Sequence, residues 1–85
     1  MRVDIKLYDI VYDIEESEAF INLDYDTQEE IKEHLEKSRE FTITLEGLGD
    51  THMSVLLETI DYSAYIGAIT GFSVKSYNVT LYVSS

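Results

Sequence analysis

The sequence contains no cysteine, no proline and no tryptophan, and it has only four glycines and two histidines. Without cysteine there are neither disulfides nor thiolate metal ligands, and two histidines are too few for the usual structural zinc sites. No phosphate-binding glycine loop, nucleophile elbow or Ser-His-Asp pattern is present. We therefore expect a protein that is not an enzyme, with no catalytic residues, no cofactor and no metal site.

Long hydrophobic runs are also missing, since the longest uninterrupted apolar run is three residues. A transmembrane helix needs about 20 predominantly apolar residues, so the sequence predicts no membrane span. The first six residues alternate as a strand does and do not resemble a secretory signal. These observations predict a cytoplasmic location.

Basic residues are scarce, with six of them against 17 acidic residues and a net charge of −11. Small soluble domains usually carry a net charge of magnitude about 2–8. Direct binding to nucleic acid requires a basic patch, and anionic membranes attract basic segments, so neither partner is expected. The charge instead favours a basic partner, including the nucleic-acid-binding surface of another protein.

The negative charge is concentrated in one part of the chain. Residues 9–30 contain nine acidic residues and no base, whereas residues 51–85 contain only Glu58, Asp61 and Lys75. Crowded like charges destabilise a compact state, so the cluster has an energetic cost that solubility alone explains poorly. Such asymmetry indicates an electrostatic role for the N-terminal half.

The hydrophobic pattern predicts a single α+β domain over residues 1–85. Residues 2–14 alternate as a strand, and they become apolar on both faces in their second half. That strand is therefore either central and covered on both sides, or it contains a bulge near Tyr8 that switches its register. A turn at residues 15–18 and alternation over 19–25 predict a second, antiparallel strand.

A helix is predicted to follow, with Thr27 or Asp26 as its N-cap and its end near Arg39. Residues 41–45 form a clear strand pattern, and a glycine-rich turn follows it. Residues 51–64 fit a helix somewhat better than a strand. Residues 68–75 and 79–83 predict two further strands joined by a turn at 76–78. The expected architecture is an antiparallel sheet of about four to six strands with one or two helices on one face.

The acidic residues between Asp24 and Glu30 could in principle hold a hard cation. The segment lacks the glycine and the alternating ligands of a calcium-binding loop, so helix capping is the expected role. The pair Glu30 and His34, one helical turn apart, has too few companions for a metal site and is expected on a solvated helix face.

The candidate partner-binding surface combines the acidic cluster with the tyrosines that lie within it. Carboxylates two residues apart on a strand are spaced by about 6.6 Å, similar to neighbouring phosphates of a nucleic acid strand. Tyrosine is enriched at protein interfaces. The candidate residues are Asp9, Tyr12, Asp13, Glu15, Glu16, Glu18, Asp24, Tyr25, Asp26, Glu29 and Glu30.

In size, charge and tyrosine content the chain resembles small acidic phage-encoded inhibitors, including anti-CRISPR and other DNA-mimic proteins. The matching features are the acids from Asp9 to Glu30 with Tyr12 and Tyr25 between them, so the resemblance is compositional and covers mainly the first half. It implies a protein that occupies the nucleic-acid-binding surface of a CRISPR–Cas effector or another nucleic-acid-handling protein.

An alternative function is that of an adaptor or a homo-oligomeric subunit. The nearly neutral C-terminal half carries Tyr77, Val79, Leu81 and Val83 on a strand whose exposed edge could pair with another chain. In this reading a homodimer is expected, and the acidic residues only keep the assembly soluble.

Overall fold

The computed structural model describes residues 1–15 and 17–84 and contains a three-stranded sheet with four helices. The elements in chain order are β1 (Arg2–Tyr12), α1 (Glu18–Ile21), α2 (Tyr25–Lys37), β2 (Phe41–Glu46), α3 (Asp50–Thr59), α4 (Tyr62–Thr70) and β3 (Val74–Ser84). The α+β class and the antiparallel sheet are therefore as predicted. The strand order is β2-β1-β3, and both pairings are antiparallel.

Strand β1 is central, and its alternation separates an apolar face of the sheet from a polar one. Val3, Ile5 and Leu7 are fully buried, and they lie opposite residues 45, 43 and 41 of β2 and residues 83, 81 and 79 of β3. Directly opposed residues of an antiparallel pair project from the same side of the sheet. The opposite face carries polar side chains, among which Thr44 donates a hydrogen bond of 2.8 Å to Asp4.

A bulge shifts the register of β1 after Tyr8. Asp9 has a φ of 52°, and the pairing with β3 moves from Tyr8–Asn78 to Val11–Ser76, which leaves one extra residue in β1. The buried positions consequently change from odd to even numbers, and Ile10 joins the core. The predicted bulge near Tyr8 is thus confirmed, and it explains why the alternation pattern places apolar residues on both faces of the second half of the strand.

Helices α3 and α4 cover the apolar face, and each contributes one fully buried side chain. Met53 of α3 and Ile66 of α4 are fully buried and pack in one cluster with the buried side chains of β1 and β2. Helix α4 also contacts β3, since the rings of Tyr62 and Tyr77 meet edge to face with centroids 6.3 Å apart. The helical interpretation of residues 51–64 is confirmed, although Ile60 and Asp61 divide the segment into two helices.

A second core cluster lies at the other end of β1. Ile14, Phe20 and Leu35 are buried together, so this cluster joins the end of β1 to α1 and α2. Tyr12 belongs to its border, and its hydroxyl donates a 2.8 Å hydrogen bond to the carbonyl of Ser38 at the end of α2.

The predicted second strand over residues 19–25 is wrong, because the chain forms α1 and a connection to α2 there. Phe20 is buried against Leu35, and the side-chain amide of Gln28 donates to the carbonyls of Phe20, Ile21 and Leu23 at 2.9, 3.3 and 3.3 Å. Gln28 thereby satisfies carbonyls that a strand partner would otherwise bind. This contact from the next helix outweighs a short alternation of apolar residues.

The prediction for the C-terminal third is also corrected. Residues 68–70 belong to α4, and Gly71, with a φ of 79°, ends that helix and does not kink a strand. The expected turn at 76–78 lies inside β3, which is one strand because the long β1 supplies partners along nearly its whole length. The described residues therefore form three strands, fewer than the four to six expected, and four helices.

The molecule is elongated, with extents of 49 × 20 × 17 Å and a radius of gyration of 15.6 Å. A compact chain of this length has a radius of gyration of about 12 Å. The elongation follows from two separate core clusters placed along one long central strand. It leaves part of the apolar sheet face without a covering helix.

Candidate acidic interface

Asp24 is the N-cap of helix α2, in place of the predicted Thr27 or Asp26. The backbone N–H of Thr27 donates to one carboxylate oxygen of Asp24 at 3.2 Å, and the Thr27 hydroxyl donates to the other at 2.6 Å. These bonds favour the charged form and lower the pKa of Asp24 below its ordinary value of 3.8. Asp24 is therefore a structural cap of the helix that carries four of the eleven candidate residues, Tyr25, Asp26, Glu29 and Glu30.

The outward side of α2 carries a row of exposed carboxylates. Leu35 is the buried residue of this helix, and residues 26, 29, 30 and 33 lie on or near the opposite side at the helical spacing of about 100° per residue. We call Asp26, Glu29, Glu30 and Glu33 the carboxylate face, and all four are exposed. Their positions rise along the axis by about 10 Å over two turns.

Two bases of α2 lie near the carboxylate face within the described residues: Lys32 at its side, and the exposed Lys37 one helical turn after Glu33. The one ion pair of this face among those residues is a 4.0 Å contact between Glu29 and Lys32, both about half exposed. Lys32 lies at the side of the helix, with its amino group 5.9 Å from the centre of the Phe20 ring. Exposed pairs of this kind contribute little to stability. Because the four acids outnumber these two bases, the face keeps a net negative charge that is available to a cationic ligand.

Tyr25 lies next to this face and is 72% exposed. It occupies the first position of α2, directly after the Asp24 cap. A tyrosine with an exposed ring adjoining carboxylates offers apolar area and a hydroxyl to a partner.

The remaining candidates lie elsewhere. Asp13 and Glu15 are exposed and line a cleft of about 460 Å³, together with the bases Lys32, Arg39 and Lys75. The end of β1 is thus an area of mixed charge, unlike the carboxylate face.

Three candidates occupy other positions in the described structure, and one lies outside it. Asp9 is on the bulge and accepts a 3.3 Å hydrogen bond from the Asn78 side chain. Glu18 is exposed at the start of α1, and Tyr12 is half-buried with its hydroxyl bonded to Ser38. Glu16 lies outside the described residues. The row of carboxylates expected along a hairpin and the start of the helix does not form on a hairpin, because the described residues between β1 and α2 contain helix α1 and no strand.

The sequence reasoning missed Glu33 as part of the acidic surface. The acidic cluster was defined as the segment without a basic residue, and that segment ends at Glu30 because Lys32 follows. The helical period is the signal that finds Glu33, since it lies four residues after Glu29 and three after Glu30.

Other kinds of site find no support in the described part of the chain. No three His, Asp or Glu side chains among residues 1–15 and 17–84 are placed to hold a metal ion together. No helix within the same residues has both the length and the apolar character needed to cross a membrane.

No protein-family model, no curated protein and no solved structure matches this chain. The functional argument therefore depends on the surface itself.

Proposed function

We propose that this protein is a non-enzymatic acidic ligand that binds the basic surface of a partner through the carboxylate face of α2. The observation that carries the proposal is the row of exposed acids at positions 26, 29, 30 and 33, with one long ion pair among them. A basic groove that normally contacts phosphates offers Arg and Lys side chains, which form charge-assisted hydrogen bonds with carboxylates.

The partner class that fits is a nucleic-acid-binding protein of the cytoplasm, and the bound protein inhibits it by occupying its groove. The resemblance to phage-encoded inhibitors extends the proposal to CRISPR–Cas effectors. A helical row replaces the strand row as the phosphate mimic, with acids separated along the axis by about 4.5–6 Å at spacings of three and four residues. Tyr25 adds area at one end of this surface.

Two variants with equal net charge test the proposal. The first is D26N/E29Q/E30Q/E33Q, which neutralises the carboxylate face. The second is E40Q/E46Q/D50N/E58Q, which removes four exposed acids outside α2. Any effect of overall charge is the same in both variants. A difference in partner retention between them therefore shows that the position of the acids matters.

Each protein is used as bait in a bacterial lysate at low and at physiological salt, and retained proteins are identified with and without added DNA or RNA. We expect the wild type and the second variant to retain a nucleic-acid-binding protein that salt and nucleic acid displace, and the first variant to lose it. Equal retention by both variants, or retention unaffected by nucleic acid, would refute the proposal.

A further inference from the structure

Within residues 1–15 and 17–84, strand β3 has an outer edge that no other strand pairs with and an apolar side that stays exposed over its second half. It is an edge strand of 11 residues, and Val79, Leu81 and Val83 are 38%, 46% and 63% exposed. These residues lie opposite buried positions of β1 and thus project from the same face as the core. A long, apolar edge without charge is a template for pairing with another strand.

We propose that this edge pairs with the β3 edge of a second copy of the chain, antiparallel and centred on Leu81, giving a six-stranded sheet. A twofold axis between two antiparallel edge strands must lie perpendicular to the sheet, so it relates a residue to its own copy. The apolar faces of both copies then lie on the same side and form one continuous surface.

The sequence of β3 is self-complementary about Leu81. In this register Val79 lies opposite Val83 of the second copy, Thr80 lies opposite Tyr82, and Leu81 lies opposite itself. Pairs of β-branched and aromatic residues across strands are favourable. The match supports a second copy as the partner in preference to an unrelated strand.

Backbone pairing over residues 78–84 gives about six to eight hydrogen bonds, which is within the range of roughly 5–15 found in stable interfaces. The same pairing brings the side chains of Val79, Leu81 and Val83 of one copy beside those of the other. The interface therefore supplies both the polar and the apolar contacts that association requires.

Charge also permits this contact despite the net charge of −11. Residues 76–84 contain no charged side chain. In the antiparallel dimer, the end of each copy that carries α2 points away from the other copy. The start of β3, Val74, lies seven residues from the axis, so the two copies of Val74 are about 48 Å apart at about 3.4 Å per residue. The Debye length in physiological salt is about 8 Å, and repulsion between the acidic ends is screened.

Sedimentation velocity over a wide concentration range tests association with the wild type, Leu81→Lys and Val55→Lys. We expect a wild-type dimer of twice the 9.8 kDa chain mass. Leu81→Lys places two like charges across the axis and should give a monomer. Val55→Lys replaces an exposed apolar residue of α3, outside the paired residues of β3, and should remain dimeric. A monomeric wild type, or a dimer that Leu81→Lys leaves intact, would overturn the proposal.

Cysteine variants test the register independently of whether Leu81→Lys folds, because the chain has no native cysteine. Opposed residues have Cα atoms about 4.5–5.5 Å apart, within disulfide reach, whereas two copies of residue 82 are about 8 Å apart. Under mild oxidation Leu81→Cys should cross-link with itself, and Tyr82→Cys should not. Val79→Cys should cross-link only when mixed with Val83→Cys. Equal cross-linking of all variants would contradict the register.

This interface uses none of the residues of the carboxylate face. Its failure would leave the proposed function intact, and loss of partner capture by the α2 variant would leave the dimer intact.

Discussion

At the residue scale, Asp9 has a backbone conformation that its position in a strand does not suggest. Its φ of 52° lies in the left-handed region, where aspartate and asparagine are tolerated and β-branched residues are strongly disfavoured. Buried residues alternate up to Leu7, and the bulge at Asp9 makes Ile10 the next buried residue of β1. A single residue thus decides which side chains of the second half of β1 are buried.

We expect Asp9→Val to lower the free energy of unfolding by about 1–2 kcal/mol relative to Asp9→Asn, because valine cannot adopt this φ without strain. Both variants remove the same charge, and asparagine can still bond to Asn78. Urea denaturation followed by circular dichroism measures the difference. Equal stability of the two variants, or a more stable valine variant, would show that residue 9 is in ordinary strand conformation.

The caps of the helices make stability depend on pH. Asp24 and Asp61 each accept a hydroxyl and a backbone N–H at a helix start, and these hydrogen bonds lower the pKa of both carboxyls below 3.8. A lowered folded-state pKa contributes stability that is present above the unfolded pKa and is lost as the pH falls through the folded one.

Asp24→Asn isolates this effect, because asparagine caps a helix equally well but does not titrate. The difference in Tm between wild type and variant should be constant from neutral pH down to about pH 5. Below about pH 4 the wild type should lose stability relative to the variant. A difference in Tm that stays constant down to pH 2 would contradict the role given to the Asp24 carboxylate.

At the scale of elements, a pattern predicted the structure where its own residues decide it and failed where a contact from another part of the chain decides it. Strands β1 and β2 and helix α2 follow from alternation or from capping signals within their own residues. Helix α1 does not, because seven alternating residues match a strand and the deciding contact comes from Gln28 of the next helix. The prediction divided β3 into two strands because residues 76–78 match a turn locally. The contact that argues against a turn is between Asn78 and Asp9, 69 positions apart, and a local pattern cannot reveal it.

Gln28 therefore provides a test of how α1 is held. Gln28→Ala should destabilise the fold by about 0.5–1.5 kcal/mol, and Gln28→Glu by more, since a carboxylate cannot donate to the three carbonyls. Glu33→Ala on the outward side of the same helix is the control and should change stability by less than about 0.5 kcal/mol. Chemical denaturation compares the three. A glutamate variant as stable as the wild type would exclude the Gln28 contact as the reason for α1.

At the scale of the whole molecule, charge and apolar surface are separated along a 49 Å axis. The second core cluster fixes α2 at one end, and the uncovered part of β3 lies toward the other. The sequence predicted this separation as an acidic N-terminal half and a neutral C-terminal half. It did not predict that the acids would form a helical row, because that depends on α1 and α2 replacing the expected hairpin.

The separation reconciles the two functions that the sequence left as alternatives. In the two proposals, the end with α2 would bind a basic partner, and the other end would join two copies with their acidic ends pointing apart. Such a dimer presents two carboxylate faces, and a partner with two basic sites at a matching distance gains apparent affinity from the linkage.

The most direct test of the acidic interface is nuclear magnetic resonance of the isotopically labelled full chain during titration with an arginine-rich peptide, which stands in for a basic groove. We predict that the largest amide shift changes fall within α2, centred on residues 25–33, and that they disappear in high salt. They should also be absent in D26N/E29Q/E30Q/E33Q. Shift changes spread evenly over all exposed acids, or centred on residues 40, 46, 50 and 58, would contradict the assignment of this surface.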